Sequence, residues 1–237
     1  MPKVWFIRHG ESEADAGLPT LFPMNTQLTS NGIAQAKYIA QSFPKPPSLI
    51  ITSKYIRSWQ TAQPTIKRYR KARRARPDDW PIHEFTYLSP PKFAYTTKAG
   101  RQEQVKAYWE RNDPYYVDGE GAESFIAFIE RVSYVLKTLS YSHENFIAVF
   151  THGQFISAVR WLLQDLPTKM DHNSMKQFRR FLDFNPISTG AILPMELDRE
   201  KSAFEDMITP LLTTLADERP VNELSHFFEK IGQTICC

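Results

Sequence analysis

Cysteine is almost absent from this chain of 237 residues, which contains only Cys236 and Cys237. Two adjacent cysteines cannot link distant parts of a fold, so an architecture held together by disulfides is excluded. A chain of this kind is typical of a reducing compartment, and we expect it to be cytoplasmic. The pair has neither a polybasic segment before it nor the sequence of a C-a-a-X box, which favours a frayed tail over a lipidation site.

Long hydrophobic runs are also missing, since the uninterrupted apolar stretches have only the length of a strand. A membrane-spanning helix needs about 20 consecutive apolar residues, so we expect no contact with a membrane. Arg8 interrupts the first apolar segment, which argues against a signal peptide. The sequence contains no Cys/His or His/carboxylate spacing typical of a metal site, and we expect neither a metal nor another cofactor.

A strong charge of one sign is the third absence, because the formal net charge is only +3. The exception is the basic run Lys67–Arg76, in which seven of ten residues are Lys or Arg. Such a run could attract polyanions, or it could be a solvated helix end. We favour the helix end, and do not favour nucleic acid as a partner, because no stacking aromatics are interleaved with the charges.

Hydrophobic residues make up 42% and charged residues 23% of the chain, which is the balance of a globular protein with a sizeable core. No linker divides the sequence, so we expect a single domain over residues 1–237. Predicted strands alternate with helices, which indicates an α/β fold: a three-layer α/β/α sandwich with a mainly parallel central sheet. The predicted strands are residues 3–7, 48–52, 80–85, 145–150 and 187–197.

The helices are predicted from their apolar spacing and their capping residues. Ser30 and Ser53 are each placed to cap a helix, and the second of these helices carries Arg57. Pro64 should begin a separate helical segment, since proline breaks the hydrogen-bond ladder of a helix interior. The C-terminal part, residues 164–237, is predicted to hold a strand and further helices, two of them at 204–215 and 222–231.

Two of the predicted strands end in the same unusual way. The first runs into Arg8-His9-Gly10 and the fourth into Thr151-His152-Gly153. The carboxyl ends of parallel strands meet at one edge of a sheet, so we expect these side chains and Arg57 to lie together there. Two imidazoles and two guanidiniums suit a doubly charged oxyanion, and phosphate fits them best.

Five motifs extend this pattern, and in their order and spacing they resemble the histidine phosphatase superfamily, which includes the cofactor-dependent phosphoglycerate mutases. The resemblance covers residues 3–163 and implies a phosphoglycerate mutase-like fold. The motifs are Arg8-His9-Gly10-Glu11, Leu28-Thr29-x-x-Gly32-x-x-Gln35-Ala36, Ser53-x-x-x-Arg57-x-x-Gln60-Thr61-Ala62, Gly121-Ala122-Glu123-Ser124 and Thr151-His152-Gly153.

The resemblance implies a role for each residue of the predicted site. His9 would attack phosphorus through Nε2, while a backbone carbonyl holds its Nδ1–H, and water would then hydrolyse the phosphohistidine. Arg8, Arg57 and His152 would bind the phosphate oxygens and stabilise the charge of the transition state. Glu84 would donate a proton to the leaving alkoxide, and Glu103 and Glu120 are the fallback acids.

Two positions depart from the pattern of the family. The mutases of the family carry the acid in a Glu-Arg-x-Tyr-Gly motif, whereas this chain has Glu84-Phe85-Thr86-Tyr87-Leu88. The missing Arg argues against mutase activity. Asp15 stands where many members have an Asn that donates to the phosphate, and an ionised Asp would repel a dianion unless it were protonated or turned away. We therefore leave Asp15 out of the binding set.

The leading hypothesis is a phosphatase that acts on a small phosphorylated substrate or a phosphopeptide. A mutase and a non-catalytic phospholigand-binding module remain as alternatives. Specificity would come from the loop after His9 and from residues 86–121, whose aromatic side chains could form a wall or simply be core: Phe93, Tyr95, Tyr115 and Tyr116. Glu11 and Glu123 would either orient their neighbours or cap a helix.

Overall fold

A five-stranded sheet lies at the centre of the computed structural model, which describes residues 1–164 and 169–198. The strands are β1 (Lys3–Arg8), β2 (Leu49–Thr52), β3 (Arg73–Arg74), β4 (Phe146–Thr151) and β5 (Ile192–Glu196). Their order is β3-β2-β4-β1-β5, and only β5 is antiparallel to its neighbour. The mainly parallel sheet predicted from the sequence is therefore confirmed.

Six α-helices flank this sheet within the described residues. They are α1 (Ser30–Ser42), α2 (Ile56–Arg68), α3 (Gln102–Arg111), α4 (Phe125–Ser140), α5 (Gly153–Gln164) and α6 (His172–Phe184). Helices α1 and α2 pack together, and α5 packs between α4 and α6. A buried cluster joins Ile39 of α1 and Ala62 of α2 to Ile7, Ile50 and Ala148 of the sheet. None of these helices has the combined length and hydrophobicity that a membrane span requires.

The register of the two central strands decides where the site forms. Strands β1 and β4 run parallel with Lys3 opposite Phe146 and Arg8 opposite Thr151. All six residues of β4 are buried, as the unbroken apolar sequence predicts for a strand covered on both faces. Because the strands end at the same level, the next residues, His9 and His152, emerge side by side at one edge of the sheet.

The predicted strand at 80–85 is wrong, since this segment forms no ladder. Ile82 is nevertheless fully buried, and its carbonyl accepts a hydrogen bond from the Thr151 hydroxyl at 2.5 Å. The third parallel strand is instead the short pair Arg73–Arg74, which lies inside the basic run and pairs with β2. The run is therefore only partly a helix end, because Arg73 and Arg74 form an exposed, charged strand at the edge of the sheet.

Three predicted helix boundaries also need correction. Thr29 rather than Ser30 caps α1, with its hydroxyl accepting from the Gly32 amide at 3.1 Å. Helix α2 has no side-chain cap, because Ser53 binds elsewhere. Pro64 lies inside an unbroken α2, since the packing of the buried residues on either side of it outweighs one lost backbone hydrogen bond.

The C-terminal predictions divide between described and undescribed residues. Strand β5 is an edge strand and accommodates Pro194, as expected from the missing amide of proline. The predicted helices at 204–215 and 222–231, and the two cysteines, lie outside the described residues. The assignment of residues 1–237 to a single domain stays a prediction.

Candidate active site

The carboxyl ends of β1 and β4 open onto a cleft of about 1110 Å³. Four of the predicted site residues line it: Arg8, His9, Arg57 and Glu84. The fifth, His152, is wholly buried beside His9, with the two ring centroids 5.2 Å apart. The structure thus brings together every residue that the sequence assigned to the site. No group of three or more His, Cys, Asp or Glu side chains in residues 1–164 and 169–198 could hold a metal ion.

The imidazole of His9 is held in a single tautomer. Its Nδ1 lies 2.8 Å from the carbonyl oxygen of Gly10, which can only accept, so Nδ1 carries the hydrogen and Nε2 carries the lone pair. The Nε–H of Arg57 donates to this lone pair at 3.0 Å. Burial, reinforced by the charges of Arg57 and Arg8, holds the pKa of His9 well below 6.5. His9 is therefore a neutral base with its lone pair on Nε2.

Close backbone packing fixes the loop that follows His9. A Cβ atom on Gly32 would lie 2.1 Å from the carbonyl oxygen of Glu11, and one on Gly10 would lie 2.5 Å from that of Gly32. The Gly10 amide also donates to the hydroxyl of Thr61 on α2 at 3.0 Å. Two motif glycines are therefore required because the backbone approaches itself too closely for a side chain.

Arg8 is bonded on both sides of its guanidinium. Nη1 donates to the carbonyl of Ile187, and Nη2 donates to Asp15 Oδ1 at 2.7 Å. Its Nε–H is buried and has no hydrogen-bond partner within the described part of the chain. A Cβ on Gly153 would lie only 3.4 Å from this nitrogen, so the glycine at the start of α5 leaves space beside it.

Asp15 is neither protonated nor turned away from the cleft. Its Oδ2 accepts from the Ser12 amide at 3.0 Å and from the Ser12 hydroxyl at 2.6 Å. Burial by itself would raise the pKa of Asp15, but the bonds from Ser12 and the charge of Arg8 hold it below 3.8. The carboxylate therefore lines the site with a full negative charge.

Ser53, which was predicted to cap a helix, instead contacts and positions His152. Its Nε2 lies 2.8 Å from the hydroxyl of Ser53, which also accepts from the Tyr55 amide at 3.3 Å. When the hydroxyl donates to Nε2, the hydrogen of His152 is on Nδ1. That nitrogen is buried and has no partner among residues 1–164 and 169–198. Ser53 comes directly after β2, and this position at a strand end is the signal from which its place in the site could have been predicted.

The Glu84 carboxyl lies at the start of α5. Its Oε1 accepts from the Gln154 amide and from the Phe85 amide, both at 3.1 Å. Burial raises the pKa of Glu84 above 4.5, although the charges of Arg57 and Arg8 oppose the shift. The rise is in the direction that a general acid needs. Of the fallback acids, Glu103 lines the cleft and Glu120 does not.

The two glutamates left open by the sequence both orient their neighbours. Glu11 accepts from the Thr29 hydroxyl at 2.6 Å, next to the start of α1. Glu123 forms an ion pair with Arg131 of α4 at 2.7 Å, while the cap of α4 is Ser124. Sequence reasoning did not find Arg131, because it lies within the amphipathic pattern of a helix.

Of the four aromatic residues singled out in the outer segment, only Phe93 lines the cleft. Phe93 lines the cleft, together with Trp109, which the sequence analysis did not single out. Tyr116 packs on Tyr108, with the ring centroids 6.1 Å apart. Tyr95 is exposed, and its φ of 61° lies in the left-handed region. The four residues therefore do not form a continuous wall.

The two loops around the cleft are tied together by their backbones. The Thr20 amide donates to the Thr96 carbonyl at 3.2 Å, and the Tyr95 amide donates to the Thr20 carbonyl at 2.9 Å. Thr20 belongs to the loop after His9, and Thr96 belongs to the segment before α3. We call this pair of hydrogen bonds the loop bridge.

Comparisons with known proteins agree with this geometry. The model of the histidine phosphatase superfamily (branch 1) matches residues 4–178, which are most of the chain. The chain belongs to the histidine phosphatase superfamily. A comparison with curated proteins gives no match.

Solved structures show the same fold at low sequence identity. The α-ribazole phosphatase from Shigella flexneri is 20% identical with a TM-score of 0.63, and the alignment covers 84% of this chain and 92% of that one. A mycobacterial glucosyl-3-phosphoglycerate phosphatase, solved as a complex with VO3, is 19% identical with a TM-score of 0.62, and the alignment covers 83% and 93%. The same mycobacterial phosphatase has also been solved with inorganic phosphate.

Proposed function

We propose that this protein is a phosphatase that hydrolyses a phosphomonoester through a phosphohistidine on His9. The observation that carries the proposal is the hydrogen bonding of His9. Its Nδ1–H is held by the Gly10 carbonyl at 2.8 Å, and its Nε2 lone pair is held by the Arg57 Nε–H at 3.0 Å. A neutral imidazole fixed in this tautomer beside two guanidiniums is a nucleophile for a phosphate dianion.

The first step transfers the phosphoryl group to the enzyme. The Nε2 lone pair of His9 attacks phosphorus, the P–O bond to the leaving group breaks, and the leaving oxygen takes the proton of Glu84. In the second step the Glu84 carboxylate accepts a proton from water, whose oxygen attacks phosphorus while the N–P bond breaks. Inorganic phosphate leaves, and both His9 and Glu84 return to their starting states.

Two buried donors without partners support a phosphate site next to His9. They are Arg8 Nε–H and, with Ser53 donating to Nε2, His152 Nδ1–H, and a buried unpaired donor is costly unless a ligand satisfies it. The phosphate would also replace His9 as the acceptor for Arg57. Arg8, Arg57 and His152 would then hold the oxygens of the transferred group and stabilise the charge that develops on them.

The substrate class we propose is a small phosphorylated metabolite. The names of the two similar phosphatases, α-ribazole phosphatase and glucosyl-3-phosphoglycerate phosphatase, both refer to small phosphorylated molecules. Phe85 argues against a mutase. Its side chain is buried and stacks on Phe128, with the ring centroids 4.3 Å apart, and it offers no charge to a second anionic group. A cytoplasmic location fits the two adjacent cysteines.

The test is hydrolysis of p-nitrophenyl phosphate by the purified protein without added metal, compared with the variant His9→Ala. We expect the variant to lose roughly 10³-fold or more of the rate, since the loss of a nucleophile removes the covalent route. His143→Ala is the matched control, because His143 is exposed and does not line the cleft. Undiminished hydrolysis by His9→Ala would overturn the mechanism.

A further inference from the structure

Arg131 of α4 shares its hydrogen-bond donors between Glu123 and the segment that carries Glu84. The first nitrogen, Nη1, donates to the carbonyls of Pro81 at 2.8 Å and His83 at 2.9 Å. The second, Nη2, donates to the Glu84 carbonyl at 3.3 Å and to Glu123 Oε1 at 2.7 Å. The Nε–H completes the pair with Glu123 Oε2 at 2.8 Å. A guanidinium has five N–H donors, and all five are engaged here.

Glu123 binds the same segment from its other end. Its Oε1 accepts from the Thr86 amide at 3.0 Å, and its own amide donates to the Thr86 carbonyl at 2.9 Å. Arg131 and Glu123 thus bind the backbone of four of the residues 81–86, in addition to the bond from Thr151 to Ile82. The segment has no strand partner, so these bonds satisfy backbone groups that a sheet ladder would otherwise pair.

Neither of the two side chains reaches the cleft. The side chain of Arg131 is 10% exposed and lies over the ring of Phe128 at 4.8 Å, and that of Glu123 is 17% exposed. Both are missing from the residues that line the cleft. Their hydrogen bonds therefore act on the site through the backbone of this segment, which brings Glu84, Phe85 and Thr86 to the cleft. The charge of Arg131 also acts on Glu84 directly and opposes the rise of its pKa.

We propose that Arg131 and Glu123 are positioning residues that hold Glu84 where it can protonate the leaving oxygen. The proposal rests on the function proposed above, and it adds which residues fix the position of the acid. Proton transfer depends steeply on the position of the donor, so a small displacement of this segment costs rate even when the carboxyl itself is intact.

The test uses two substrates that differ in their need for an acid. p-Nitrophenyl phosphate has a good leaving group, whereas glycerol 2-phosphate releases an alkoxide that must be protonated. We expect Arg131→Lys and Glu123→Gln to lower kcat for glycerol 2-phosphate roughly tenfold to hundredfold more than kcat for p-nitrophenyl phosphate, with the same selectivity as Glu84→Gln. Lysine keeps the charge, but its single nitrogen cannot bridge three carbonyls and a carboxylate.

Arg160→Lys is the matched control, because Arg160 lies on α5, contacts Asn185 and Phe181, and does not line the cleft. Thermal unfolding of each variant identifies one that fails to fold, and Glu123→Gln, which keeps the shape of a loop side chain, then carries the test. Equal losses on both substrates, or no loss on either, would overturn the positioning role. A wild-type protein that hydrolyses neither substrate would instead overturn the proposed function itself.

Discussion

The guanidinium of Arg8 is bonded to the carboxylate of Asp15 at 2.7 Å, in a cleft that both residues line. A phosphate that approaches Arg8 therefore meets a negative charge next to its intended partner. The side chains are only 20% and 19% exposed, so solvent weakens this repulsion less than it would on the open surface.

Asp15→Asn should strengthen the binding of inorganic phosphate, because the repulsion disappears while one oxygen remains to accept from Arg8. We expect the inhibition constant of phosphate to fall about tenfold, which corresponds to about 1.4 kcal/mol. Competitive inhibition of p-nitrophenyl phosphate hydrolysis measures it. Asp79→Asn is the control, since Asp79 pairs with Arg76 away from the cleft. Unchanged or weaker inhibition in Asp15→Asn would show that Asp15 does not oppose the phosphate.

The same carboxylate should contribute to stability in a pH-dependent way. The pKa of Asp15 is lowered in the folded protein. Its contribution to the free energy of unfolding is therefore complete above the ordinary pKa of 3.8, and it disappears as the pH falls through the pKa of the folded state. We expect Asp15→Asn to cost about 1 kcal/mol in the free energy of unfolding at neutral pH. Urea unfolding over a pH series should show this cost shrinking below pH 3.8, and a cost that is constant down to the lowest pH would contradict the linkage.

The activity should persist well below the ordinary pKa of histidine. Burial holds the pKa values of both His9 and His152 well below 6.5, so both rings of the free enzyme stay neutral as the pH falls through that value. We expect the acid limb of kcat/KM for p-nitrophenyl phosphate to lie well below pH 6.5. An acid limb centred near pH 6.5 would mean that the nucleophile titrates like a solvated imidazole.

Glu84→Gln should separate substrates by their leaving groups. The amide cannot donate a proton in the way a carboxylic acid does, so alkyl phosphates should lose roughly 10²–10⁴-fold in kcat while p-nitrophenyl phosphate loses much less. Phosphate release from the two substrates measures the ratio, and Glu103→Gln tests the fallback acid that also lines the cleft. Equal losses in Glu84→Gln would point to another acid.

Gly32→Ala should destabilise the protein and disturb the loop after His9. The added Cβ would lie 2.1 Å from the Glu11 carbonyl oxygen, and a backbone atom cannot move aside as a flexible side chain can. We expect a loss of about 1–3 kcal/mol in the free energy of unfolding, together with lower kcat/KM. Gly100→Ala is the control, since its Cβ would meet only the Thr97 hydroxyl, at 3.4 Å. Equal stability of the two variants would contradict the packing argument.

The placement of His9 and His152 could be predicted because it follows from two local signals. Each residue comes directly after a buried apolar strand, and parallel strands end at a common edge. The same reasoning located Arg57, which lies one turn after β2. Patterns of burial and strand direction thus determine most of the site.

The contacts that hold the site could not be predicted, because they connect side chains to irregular backbone. Arg131 donates to the carbonyls of Pro81 and His83. Every residue carries such a carbonyl, so the sequence does not indicate which ones accept. The apolar pattern around Ile82 suggested a strand for the same reason, since burial is visible in the sequence and a missing ladder partner is not. Asp15 was recognised as a departure, but its bonds to Ser12 and Arg8 decide its charge.

The loop bridge has a consequence for how specificity could be changed. The backbone of Thr20 bonds to those of Tyr95 and Thr96, and so joins two segments that are far apart in sequence yet face the same cleft. Grafting one loop with a different backbone path would break the bridge and remove this support from the other loop as well. The loop after His9 and the segment before α3 should therefore be transplanted together onto the unchanged sheet.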